Sequence, residues 1–190
     1  MEAFEQFVAL AMESEGLVVS GALKFPVRRQ TRKAEYAEFQ THGFEVDLVG
    51  ARSDRLVLAT VKSFFGSRGV VADHVSGASP THSNLYAMLN DETIRTTVVA
   101  GAAERFGFAV SQVELRLYVG KFAGADNEAK VREWCATQQV GSGPIRVVAA
   151  PEVVTLVREV AGSKQYRDNA VLATMKVLES VGTLTSTQKS

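Results

Sequence analysis

The sequence predicts an α/β protein with a mixed central β-sheet flanked by helices on both faces. Three observations lead there. Stretches with apolar residues at helical spacing interleave with short apolar or alternating runs that read as strands. Turn-length segments separate the early strands, which makes them antiparallel, and helix-length segments separate the later ones, which makes them parallel. The chain has 190 residues, 46% of them apolar, which is enough for one substantial core and too apolar for a disordered chain.

Residues 2–15 read as a helix, with Phe4, Phe7, Val8 and Ala11 on one stripe and Gly16 as the stop. Leu17 to Val27 reads as a strand, and Pro26 places it at an edge or a bend. A basic stretch follows, from Val27 to Lys33. Phe44 to Gly50 is the second strand, and Ala51 to Asp54 is a turn of hairpin length. Leu56 to Ser63 is the third strand, apolar on both faces and therefore central. Residues 66–90 have little periodicity and read as a long loop with a short helix. A helix spans Asp91 to Phe106, with Gly107 as its stop. Val113 to Val119 alternates as a strand, and Asp126 to Gln139 is a helix with Val131, Trp134 and Cys135 inward. Ile145 to Ala149 is a buried strand. Pro151 suits the first turn of a helix over Glu152 to Ala161. Tyr166 to Val181 is a last amphipathic helix, whose alternative role is the seam of a homodimer. One domain is expected over 1–182, with a polar tail over 183–190.

Charge and cysteine usage set limits on function. Lysine plus arginine and aspartate plus glutamate number 21 each, so bulk charge does not drive binding to nucleic acid, and any such contact needs a local basic patch. Arg28, Arg29, Arg32 and Lys33 form one such cluster, and Arg52 tips the hairpin. Phosphate contacts and a solvated loop are both open for them. The lone Cys135 excludes an internal disulfide. No apolar run reaches the roughly 20 residues of a membrane helix, and acids at Glu2 and Glu5 replace the basic start of a signal peptide. A cytoplasmic protein is expected, with no membrane contact. There is no phosphate-cradling glycine loop and no CxxC pair.

The hairpin carries the chemistry. Side chains alternate along a strand, so Glu45 and Asp47 share one face of the second strand, Thr60 and Lys62 share one face of the third, and the hairpin brings the four close enough to converge. Fourteen residues separate Asp47 from Lys62. An acid and a lysine on neighbouring strands are also an ordinary cross-strand ion pair. Against that reading, Lys62 ends a strand apolar on both faces, where a lone ammonium is costly. Phe64 and Phe65 read as core rather than as base-stacking platforms. His42, His74 and His82 read as solvated.

The segment from Gly43 to Ser63 resembles the active-site hairpin of the PD-(D/E)xK nuclease superfamily. Asp47, Lys62 and the following Ser63 match its pattern, and the order of elements over residues 1–120 matches its core. Thr60 departs from it, standing where the family has a second acid. The resemblance implies a restriction-endonuclease-like core that cuts DNA with Mg²⁺ or Mn²⁺. It implies catalytic roles for Asp47, Lys62, Thr60 and Glu5, the last by its place eleven residues before Gly16. Glu15 is the second choice on that helix. The implied metal ligands are Asp47, Glu5 and the Val61 carbonyl, with Glu45 compensating for Thr60. The alternative is a catalytically degenerate nuclease-fold module that binds nucleic acid or a protein. A third reading is an unrelated α/β domain in which Asp47 and Lys62 merely pair.

Overall fold

The computed structural model describes residues 2–30, 39–163 and 169–182. Helix α1 (Ala3–Ser14) leads into a meander of β1 (Val18–Gln30), β2 (Phe39–Arg52) and β3 (Arg55–Lys62). Short helices α2 (Ala72–Ser76) and α3 (Ala87–Asn90) precede α4 (Glu92–Phe106), and β4 (Val113–Val119) follows. Next come α5 (Ala125–Thr137), a small ladder of β5 (Gln139–Val140) and β6 (Gly143–Pro144), then β7 (Arg146–Ala149), α6 (Ala150–Gly162) and α7 (Ala170–Ser180). The main sheet runs β1-β2-β3-β4-β7. Its first two pairings are antiparallel, and β3-β4 and β4-β7 are parallel. This is the expected mixed α/β architecture.

Each face of the sheet carries its own core. On one, Leu56 and Leu58 of β3 pack with Val98 and Ala102 of α4 and Val131 and Cys135 of α5. On the other, Val57, Ala59 and Val61 pack with Val8 and Met12 of α1, Val153 and Val157 of α6, and Val171 and Met175 of α7. Burial on both faces explains why β3 lacks polar alternation. No helix among the described residues is long and apolar enough to cross a membrane.

Four differences from the sequence reading have physical causes. Pro26 sits inside β1 opposite Gly43, which the edge position permits, and β1 continues through Arg28 and Arg29 rather than ending at Val27. The loop over 66–90 holds two short helices and a 3-10 turn at Ser83–Tyr86, too short to leave a period in the sequence. The β5-β6 ladder turns at Gly141, whose φ is +58°. The last helix starts at Ala170, where Asn169 caps it by accepting from the Val171 and Leu172 N–H groups. The expected helix start at Tyr166 and the tail over 183–190 lie outside the described residues.

A buried charge network ties the far end of α1 to the sheet. Arg116 of β4 is 0% exposed. Its guanidinium donates two bonds to Glu15, at 2.7 and 2.9 Å, two to Glu114, at 2.8 and 3.0 Å, and one to the Tyr118 hydroxyl. Burial alone would lower the Arg116 pKa, but the bonds to Glu114 and Glu15 outweigh it and raise the value. Glu15 is therefore committed here.

Candidate active site at the β2-β3 fork

The long β1-β2 ribbon bends where β2 leaves β3. The β2-β3 ladder ends at the pair Leu48–Ala59. Beyond it, Phe44 and Val46 join the α4-side core, while Leu48 joins the α1-side core and Val49 the α4 side again. Strict alternation is thus broken at Asp47. Across on β1, Ala22 has φ +53°, and the register skips the Ala22–Asp47 pair. The two irregularities form one kink.

Asp47 lies in the fork. Its Oδ2 accepts the Val61 N–H at 2.7 Å, so a carboxylate takes a donor that the ended ladder leaves without a strand partner. The same oxygen stands 3.9 Å from the Lys62 ammonium, with the two side chains 25% and 19% exposed. Lys62 also lies 6.0 Å from the ring centroid of Tyr86. Burial pushes the Tyr86 phenol up to about 12, so it stays neutral and offers the ammonium a π-face.

A pocket of about 420 Å³ opens at the kink, lined by Glu2, Glu5, Gly21, Ala22, Glu45 and Asp47. Three of the expected acids, Glu5, Glu45 and Asp47, therefore share one pocket with an acid not anticipated, Glu2. The α1 start places two of them. Glu5 accepts the Glu2 N–H at 2.9 Å, half of a capping box. Glu2 in turn accepts the Ser63 hydroxyl at 3.2 Å. Glu45 pairs with Lys24 across the ribbon at 3.7 Å. The i, i+3 spacing of Glu2 and Glu5 was the available signal for Glu2. Tyr86 and Lys24 left none.

Other expected members stand elsewhere. Thr60 is 6% exposed, opposite Leu117 of β4, and is not a wall of this pocket. Val61 donates its N–H to the Asp47 carboxylate. Arg52 sits at the opposite end of β3, roughly 20 Å from Lys62 by strand rise, where it donates to Asp54 and to the Glu15 carbonyl. Arg28 and Arg29 lie further out on the ribbon, beside a second pocket of about 410 Å³. Arg28 covers the Phe39 ring and Arg29 pairs with Asp91. Arg32 and Lys33 lie outside the described residues. The His74 and His82 rings touch edge to face and His42 is exposed.

The donor set is chemically suited to a hard divalent cation, since all its acids offer carboxylate oxygens. As they stand, Glu5 and Glu45 are turned to other partners. Among the described residues no three acids, histidines or cysteines are gathered at metal-holding distance. Compared with known proteins, the chain matches no protein-family model and no curated protein sequence.

Proposed function

We infer that the fork is the active site of a metal-dependent nuclease of the PD-(D/E)xK type, hydrolysing phosphodiester bonds of DNA. The observation that carries this reading is the meeting of Asp47 and Lys62 at 3.9 Å beside a pocket walled by Glu5 and Glu45. The antiparallel meander followed by a parallel crossover to β4 agrees with it.

Asp47 would hold Mg²⁺ or Mn²⁺, joined by Glu5 and Glu45 once these leave the Glu2 N–H and Lys24. The bound ion supplies a water of lowered pKa and offsets charge on the phosphate. Lys62 stabilises the negative charge that builds on the phosphate oxygens, with the Tyr86 ring and Asp47 fixing its position. The Val61 N–H keeps the Asp47 carboxylate aimed into the fork. Arg28 and Arg29 contact phosphates further along the strand.

A second reading has its own observation. Thr60 replaces an acid and is buried, so the site is one negative charge short. A degenerate nuclease-fold module that binds nucleic acid without cutting follows from that. One experiment decides between them: plasmid and single-stranded DNA incubated with Mg²⁺, with Mn²⁺ or with EDTA. The nuclease reading expects cleavage that EDTA stops and that Asp47→Ala or Lys62→Ala lowers by about a hundredfold or more. Cleavage surviving both substitutions removes the reading. DNA binding without cleavage by the wild type selects the degenerate module.

A further inference from the structure

We propose that the apolar pocket beside the fork is a nucleobase site, and that the nuclease therefore takes single-stranded or locally unpaired DNA. This deepens the reading of the fork and rests on it. The pocket has a volume of about 330 Å³, and Phe4, Phe7, Phe65, Val154, Glu2 and Ser63 are among the residues that line it.

Phe65 is 58% exposed, contrary to its expected place in the core. The backbone around it is arranged to hold it there. Phe64 has φ +46°, a left-handed conformation that bulky residues rarely adopt. That turn sends Phe64 into the α4-side core and Phe65 to the opposite side, edge-on to Phe4 with centroids 5.3 Å apart. Gly120 leaves the space required: a Cβ there would collide with the Ser63 carbonyl and stand 2.9 Å from Phe65 Cζ. A strained residue and a glycine thus serve one exposed ring.

The chemistry of the walls selects the occupant. Aromatic faces stack any base without reading sequence. Glu2 is an acceptor that suits the N–H groups of a base. Glu2 lines both this pocket and the acidic one, and Ser63 directly follows Lys62. A base in this pocket is therefore continuous with a phosphate at the fork. A base within a duplex is stacked and paired and cannot enter.

The test is equilibrium binding of the full chain in EDTA to a single-stranded oligonucleotide carrying one 2-aminopurine, and to the matching duplex. We expect quenching of the fluorophore on the single strand and weaker binding of the duplex. Phe65→Ala should weaken single-strand binding by roughly tenfold and abolish quenching, and Phe65→Trp should restore both. Circular dichroism melting confirms that each variant is folded. Equal binding by wild type and Phe65→Ala overturns the base site, and so does a concentration-dependent dimer that Phe65→Ala abolishes. Metal-dependent, Asp47-dependent cleavage that persists alongside either result leaves the nuclease reading standing. Absence of both binding and cleavage in the wild type overturns the two together.

Discussion

Helix α1 carries acids to both ends of the sheet, and the two ends treat them differently. At its C-terminal end, Glu15 meets an Arg116 whose guanidinium makes five hydrogen bonds and has no exposed surface. At its N-terminal end, Glu2 and Glu5 share an open pocket with Asp47, which stands 3.9 Å from Lys62, both side chains partly exposed. The first cluster is saturated and has nothing left to offer a ligand. The second gathers several carboxylates and a partly exposed ammonium beside an open pocket. Buried charge that is fully paired holds the fold, and loosely paired charge at a broken ladder is available for chemistry.

The largest effect should come from cutting the saturated cluster. Arg116→Ala takes the guanidinium from Glu15 and leaves Glu114 the longer contacts to Arg55 at 3.8 Å and Arg146 at 4.0 Å, and removing one partner of a buried pair costs about 3–5 kcal/mol. For a chain of this size the melting temperature should drop by on the order of 10 °C. A melt within about 2 °C of wild type would erase the distinction between the two ends.

Asp47→Ala should behave in the opposite way. Its cost to stability is that of one freed N–H beside a side chain that is 25% exposed, about 1 kcal/mol, read in the same melt.

Thr60→Glu tests whether the missing acid matters. It inserts a carboxylate at a buried position and should lower stability by about 1–3 kcal/mol in urea denaturation. Cleavage should change by less than about tenfold if the acids at the kink already suffice. A gain far larger than that would place the parent among degenerate modules.

The pH dependence of stability separates the ends again. Burial pushes Glu15 up, and its hydrogen bonds to Arg116 outweigh that and hold it below its ordinary 4.5. A carboxylate depressed in the folded state contributes stability above its unfolded value and loses it as pH falls through the folded one. Urea denaturation should therefore show stability declining as pH drops below about 4.5, and Glu15→Gln should flatten that decline. The smallest effect belongs to the ribbon. Arg28→Ala with Arg29→Ala should weaken DNA binding several-fold and reduce the salt slope by about 2 at most. An unchanged slope would remove the ribbon from the interface.

Much of the fold was legible because its cause is local. The two-sided apolar run from Leu56 to Val61 marked a central strand, and Pro26 marked an edge. The hairpin arithmetic also brought Asp47 to Lys62. What stayed hidden depends on distant or unmarked residues. Nothing about alanine announces the positive φ of Ala22, yet that residue shares the kink which opens the pocket at Asp47. Arg116 and Glu15 lie 101 residues apart, so their pairing leaves no pattern. Thr60 was placed with the site by alternation, and the bend at Asp47 is why alternation failed there. Phe65 reads as core by type, and only the turn at Phe64 explains its exposure.

The most direct test is Asp47→Asn. The amide oxygen of asparagine can still accept the Val61 N–H, so the fork keeps its shape while the negative charge is lost. Measured as the rate of Mg²⁺- or Mn²⁺-dependent cleavage, Asp47→Asn should match Asp47→Ala in lost activity and match the wild type in melting temperature. Wild-type cleavage by Asp47→Asn would mean that Asp47 only caps a strand end and that the chemistry lies elsewhere.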